Sequence, residues 1–232
     1  MTVTSRWAPE RPQTRPGGVL APRPATLGAM HWFLLSVVAM GLALPALAEE
    51  EVPPAGASAP VEALYAALTG TMKAGDTLSL EARRARLEPT IDAAYDVGFM
   101  ASKALGRHGR TLSAEQREEW TQTFRDLTVN TYATRFATFS GQEFSVDDVV
   151  ASARGTAMVH TQILSPGSEP VDIRYRVRAD AEGTWRIIDV FLNGTVSELA
   201  LRRSEYSSVI RSDGYEALRD GLREKIAATP ES

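Results

Sequence analysis

Few side chains in this sequence have the types and spacing that catalytic or metal chemistry requires. The chain has no cysteine and only three histidines, and its carboxylates do not stand at the spacing of metal ligands. Thiol catalysis, disulfide bridges and cysteine-based zinc sites are therefore excluded. His108 and His160 fall in a glycine-rich loop and in a predicted strand, where we expect structural or surface roles. A nucleophile elbow, a phosphate-binding loop and a dinucleotide fingerprint are all missing, so the sequence predicts no metal and no cofactor.

Two aspartates are the remaining candidates for acid–base catalysis. Asp96 follows Tyr95, and Asp189 lies within the apolar run WRIIDVFL. A buried carboxylate with a raised pKa could act as the base of an isomerase or hydratase on an apolar ligand. The competing interpretation is structural, with Asp96 capping a helix and Asp189 making a buried hydrogen bond or salt bridge.

Three arginines alternate with apolar residues along one predicted strand. Arg174, Arg176 and Arg178 place three cations on one strand face, roughly 7 Å apart. One interpretation is a solvated face. The other is a docking patch for an acidic partner or for phosphate headgroups.

A long amphipathic helix, predicted from Ser113 to Gly141, organises the rest of the chain. Ser113 and Gln116 form a capping-box pattern at its start, and Gly141 is expected to end it. Its apolar stripe has the 3.6-residue period of a helix with one buried face. The stripe comprises Trp120, Phe124, Leu127, Thr131, Tyr132, Phe136 and Phe139.

Helices are predicted before this element, and mostly strands after it. The earlier helices begin at Pro60, cover Leu80–Leu87 with a restart after Pro89, and cover Val97–Leu105. The predicted strands are 143–150, 157–164, 171–178 and 185–192, and helices 197–210 and 215–227 follow, separated by Asp213-Gly214. Consecutive strands with short turns predict an antiparallel meander. The predicted fold class is α+β, a helical layer packed on a curved antiparallel sheet of about four strands, which can enclose an apolar cavity.

The first 48 residues are predicted to be an extension followed by a secretory signal peptide. From Met30 the chain becomes apolar, and it reaches Ala46-Leu47-Ala48 just before three glutamates. This pattern predicts cleavage near Ala48, and a membrane anchor is the alternative. Residues 49–60 are then a linker, and residues 61–228 form one domain. The net charge of −4 argues against nucleic acid as a partner, and we expect an exported, periplasmic protein.

Several motifs, taken in order, resemble those of one known family. They are FM-x-x-x-ALGRH at Phe99–His108, S-x-EQR-x-x-x-x-x-F-R-x-L at Ser113–Leu127, Y-x-x-x-F-x-x-FSGQ at Tyr132–Gln142, and the later runs TWRIIDVFLNGTVSEL and SEYSSVIRSDGYEALRDGLREK. The sequence from Val61 to Ala227 resembles the MlaC family, also called the toluene-tolerance family. The run from Asn193 to Ser197 departs from that family's usual E-G-V/I-S and is more similar to a hopanoid-associated branch, HpnM.

The resemblance implies a periplasmic lipid carrier that is not an enzyme and that shuttles phospholipid or hopanoid between the inner and outer membranes. It also implies two partners, an inner-membrane ABC transporter with an MCE-type subunit and an outer-membrane lipoprotein complex. A ligand-free adaptor that docks through Arg174, Arg176 and Arg178 is the other non-enzymatic hypothesis. The apolar side chains that we expect to line the lipid cavity are Met100, Phe124, Leu127, Tyr132, Phe136, Phe139, Val146, Met158, Ile163, Tyr175, Val177, Ile188, Val190 and Val209.

Overall fold

A computed structural model describes residues 53–230, so the predicted extension and signal peptide, and the start of the linker, lie outside the described residues. The helices are α1 (Ala59–Lys73), α2 (Leu80–Ala94), α3 (Val97–Leu105), α4 (Ala114–Arg135) and α5 (Glu198–Ala227). The strands are β1 (Glu143–Ser152), β2 (Thr156–Leu164), β3 (Val171–Ala179), β4 (Trp185–Leu192) and β5 (Val196–Ser197). Of the helices in residues 53–230, none is both long and apolar enough to cross a membrane.

The five strands form one antiparallel sheet in the order β1-β2-β3-β4-β5. This arrangement confirms the predicted meander and the α+β class. The fifth strand was not predicted, because two residues are too few to show a period. Two bulges interrupt the ladders. One is in β1 between Val146 and Asp148, and the other is in β4, where Ile188 is the extra residue opposite Arg176 and Val177 of β3. In β2 and β3 the buried residues alternate with more accessible ones, so one sheet face packs against the helices.

Helix α4 begins as predicted and ends early. The Ser113 hydroxyl accepts a 3.1 Å hydrogen bond from the amide of Gln116, whose side chain accepts a 2.9 Å bond from the amide of Ser113. The prediction that the helix extends to Gly141 is wrong, since it ends at Arg135. The ring of Phe136 stacks on Tyr132 and packs 5.9 Å from Phe144 of β1, and this packing turns the chain into the sheet.

The predicted interruption at Pro89 is also wrong, because α2 continues through it. Proline removes only one backbone hydrogen bond at this point. Leu87 and Ile91, one turn apart on either side of it, are completely buried, and their packing holds the helix together. In α5, by contrast, the predicted break is confirmed, since Gly214 has a non-helical φ of 90°. Tyr206 and Tyr215 flank this break, and both contact the ring of the buried Trp120.

Candidate functional site

A cavity of about 100 Å³ lies between α4, the first turns of α5 and the strands β3 and β4. Its apolar walls come from five elements of the fold. The apolar side chains are Met100, Phe124, Phe136, Ile173, Val190, Leu192 and Leu199. Apolar surface in such an enclosed position favours apolar ligands.

Three tyrosines complete the wall without adding charge. The hydroxyls of Tyr95 and Tyr132 form a hydrogen bond with each other, and Tyr175 is buried beside them. Burial raises the pKa of Tyr95 and of Tyr175 well above the ordinary value, and it also raises the pKa of Tyr132. All three side chains are therefore neutral at physiological pH.

The remaining lining residues are polar, and they divide into two groups. The hydroxyls of Thr128 and Thr131 donate 2.8 Å and 2.7 Å hydrogen bonds to carbonyls of their own helix. These hydroxyl groups therefore do not donate a hydrogen bond into the cavity. Arg135, Glu198 and Arg202 also line the cavity, and these side chains are exposed or half-buried. The cavity thus combines an apolar interior with charged groups that still contact water.

The family model for MlaC protein matches residues 62–224. This chain belongs to the MlaC family. The family suggested by the sequence motifs is therefore confirmed, while the HpnM branch stays a prediction.

The fold is also found in a solved structure, that of a phospholipid-binding protein from Ralstonia solanacearum in complex with a phospholipid. The two chains are 24% identical and superimpose with a TM-score of 0.65 over 74% of this chain and 97% of that one. At this identity the likeness establishes a shared MlaC-like fold of helices on an open antiparallel sheet.

In this MlaC-family chain, six of the residues that the sequence suggested border the cavity. They are Met100, Phe124, Tyr132, Phe136, Tyr175 and Val190. Sequence reasoning missed Tyr95, Ile173, Leu192 and Leu199. Ile173 lies two residues before Tyr175 on β3, and Leu192 lies two residues after Val190 on β4. Because alternate residues of a strand share a face, both could have been predicted from the sequence.

The other eight suggested residues lie elsewhere. Val146, Ile163, Val177 and Val209 pack in or against the core, Leu127 is buried without lining the cavity, and Met158 lies on the opposite face of β2. Phe139 is 40% exposed and lines a separate groove beside Lys73, because α4 ends before reaching it. Strict alternation would place Ile188 on the same face as Val190, but Ile188 is the extra residue of the bulge in β4, because Arg176 pairs with Asp189 and Val177 with Ile187. Ile188 therefore faces a different pocket.

Neither candidate base borders the cavity, and both carboxylates have structural hydrogen bonds. Asp96 accepts a 3.0 Å bond from the amide of Phe99 at the start of α3, and it forms a 3.0 Å ion pair with Arg178. Asp189 is 7% exposed and accepts bonds from the amides of Val190 and Leu199 and from the Ser197 hydroxyl. These contacts support the structural interpretation of both carboxylates. Within residues 53–230 no cluster of side chains is suited to a metal ion either.

The three arginines of β3 have three different environments and do not form one uniform face. Arg178 pairs with Asp96 and lies 4.3 Å from the centre of the Phe99 ring. Arg176 lies 5.0 Å from the Phe191 ring and is half-buried, whereas Arg174 is exposed. A docking role for Arg174, Arg176 and Arg178 together remains a prediction.

Proposed function

We propose that this protein is a periplasmic lipid carrier that holds the apolar part of a phospholipid, or of a hopanoid, in the cavity between α4 and the sheet. The observation that carries this proposal is the apolar cavity, together with its tyrosines that stay neutral. The related protein from Ralstonia solanacearum is described in complex with a phospholipid, which supports the phospholipid form.

The lining explains how a lipid would be divided between protein and water. Each square ångström of apolar ligand surface buried against Phe124, Phe136 or Val190 contributes about 25 cal/mol. A charged headgroup would lose hydration in the apolar interior, so it stays outside the apolar lining, where it keeps its contact with water. This division needs no catalytic group, and we therefore infer binding and transport in place of an enzymatic reaction.

A lipid chain requires more room than the cavity offers. The volume of about 100 Å³ is below the roughly 300–1,000 Å³ of pockets for small ligands. The first turns of α5 supply Glu198, Leu199 and Arg202 to the wall, and they follow the two-residue strand β5. We infer that loading displaces the side chains of Leu199 and Arg202, while the first turn of α5 stays bonded to Asp189 of β4.

We further infer that the protein works between two membranes, after export through the predicted signal peptide. The inner-membrane ABC transporter with an MCE-type subunit would then be one partner, and an outer-membrane lipoprotein complex the other. Site-specific photo-crosslinking in the host periplasm tests this part of the proposal. Adducts with subunits of those two complexes would support it, and adducts with neither would contradict it.

The binding function is tested by native mass spectrometry of protein purified from the periplasm of its own host, followed by solvent extraction and lipid analysis. We expect a mass increment that denaturation releases as a glycerophospholipid or a hopanoid. The identity of the extracted lipid distinguishes the two branches of the family. A folded sample that carries no lipid, and that takes up none from vesicles, would contradict the proposal.

A further inference from the structure

A second pocket, of about 300 Å³, lies next to the cavity and contains three cationic side chains. Lys103 comes from α3, Arg176 from β3 and Arg203 from α5. We call the pocket that these three residues line the cationic pocket. We propose that the cationic pocket binds the phosphate group of a lipid whose acyl part occupies the cavity. This inference rests on the phospholipid form of the proposed function, and it assigns the headgroup a specific site.

The charge balance of this pocket is strongly positive. Its lining contains three cations and a single carboxylate, that of Asp189. Other arginines of the protein are neutralised, for example Arg178 by Asp96 and Arg219 by Glu119. None of the cations of the pocket forms an ion pair within residues 53–230. An anion would therefore find positive charge that the protein itself does not compensate.

Arg176 provides a second, independent observation. Its Nε atom is buried and has no hydrogen-bond partner in the part of the chain that the structure describes. Leaving a buried donor unpaired is unfavourable, and such groups in native proteins usually have a functional reason. The planar guanidinium group can donate two parallel hydrogen bonds to a phosphate, and the contact with the Phe191 ring holds it 5.0 Å from the ring centre.

The anion must be bound by side chains, because the amides at the start of α5 are already used. The amide of Leu199 donates to Asp189 and the amide of Ala200 donates to the Ser197 hydroxyl. The same bonds fix the first turn of α5 against β4. They thereby position Arg203 on the pocket side of the helix.

Leu199 connects the two sites. It lines the cavity and also the cationic pocket, so the two sites share a part of their walls. A lipid that lies across Leu199 places its acyl chain on one side and its phosphate on the other. The structure therefore offers both halves of a phospholipid a suitable surface within one short span.

Two lipids that differ only in the headgroup test this inference on the mature full-length chain. One is a lysophosphatidic acid and the other is a monoacylglycerol with the same acyl chain. The variant Lys103→Gln/Arg203→Gln removes two exposed cations, and Arg86→Gln/Arg107→Gln is the control because it removes the same charge from exposed positions outside the pocket. We expect the first variant to bind the phosphate lipid about tenfold more weakly, with the monoacylglycerol unchanged and the control variant like the wild type.

Equal weakening for both lipids, or for neither, would overturn the headgroup assignment. If the wild type binds neither lipid, the proposed carrier function fails. A titration with inorganic phosphate, followed by NMR, then tests whether the cationic pocket binds an anion at all. Phosphate binding that the first variant loses would assign the pocket to a free anion and overturn the lipid assignment. The absence of any phosphate binding would overturn the site altogether.

Discussion

The hydroxyl of Tyr65 donates a 2.6 Å hydrogen bond to the hydroxyl of Thr161, which in turn donates a 2.7 Å bond to the carbonyl of Ile173. This chain of bonds joins α1 to two adjacent strands through the interior. The ring of Tyr65 also packs 5.8 Å from that of Tyr175 in the cavity wall. The helical layer and the wall of the cavity are thus connected by a buried phenol that must remain protonated.

The first prediction concerns the pH dependence of stability. Burial raises the pKa of Tyr65 from 10 to about 12, so the folded protein keeps a proton that the unfolded chain loses. The stabilisation is therefore complete below pH 10 and is lost as the pH rises from 10 to 12, by roughly 2 to 3 kcal/mol for two pKa units. Urea unfolding at pH 9 and at pH 11 to 12 measures the change. A Tyr65→Phe variant should show a smaller decrease, and equal decreases would contradict the assignment to Tyr65.

The second prediction concerns the cavity itself. A Val190→Glu variant places a carboxylate in the apolar wall, and we expect at least a tenfold loss of bound lipid in a protein that still folds. Val171→Glu is the matched control, because Val171 lies on β3, is 42% exposed and does not line the cavity. Native mass spectrometry gives the lipid content, and circular dichroism verifies folding. Equal lipid content in the two folded variants would remove Val190 from the site.

The third prediction concerns the bonds that hold α5 to the sheet. An Asp189→Ala variant leaves the Ser197 hydroxyl and the Leu199 amide without their acceptor, and we expect a loss of about 3 kcal/mol in the free energy of unfolding. Hydrogen exchange should become faster in the first turn of α5. Asp172→Ala is the control, since Asp172 is exposed and, among residues 53–230, its carboxylate bonds only to the Gln162 side chain. Similar stabilities of the two variants would show that the carboxylate of Asp189 is not a structural anchor.

The fourth prediction compares two glycines. A Cβ atom on Gly75 would lie 1.9 Å from the carbonyl oxygen of Ala137, whereas one on Gly221 meets nothing within 4 Å. Gly75→Ala should therefore be destabilising by about 2 kcal/mol or more, because backbone must shift. Gly221→Ala, inside α5, should be stabilising by about 0.5–1 kcal/mol. Thermal unfolding of both variants measures the effects, and a stable Gly75→Ala variant would contradict the close approach at Ala137.

Features that depend on neighbouring residues could be predicted from the sequence. The capping of α4 by Ser113 and of α3 by Asp96 follows from a residue type and a spacing of three. The order of the strands followed from alternation and short connections. These features need no knowledge of what packs against them.

Features that depend on distant contacts could not be predicted. The end of α4 is set by the packing of Phe136 on Phe144, which comes from the following strand. The lining of the cavity depends on the bulge in β4, which separates Ile188 from Val190 although strict alternation places them on one face. This bulge adds Ile188 to the strand, and no glycine in the surrounding sequence marks it. Many apolar residues were recognised as buried, but their division between cavity and core is a property of the whole fold.

The bulge between Val146 and Asp148 has a consequence for the tendency of the protein to aggregate. In the sheet that the structure describes, β1 is an edge strand bonded only to β2. An unbroken edge of this kind can recruit strands of other molecules into growing aggregates. Here an arriving strand would meet an irregular row of amides and carbonyls beside the adjacent carboxylates of Asp147 and Asp148. The bulge and the two carboxylates therefore protect the edge strand β1 against pairing with strands of other molecules.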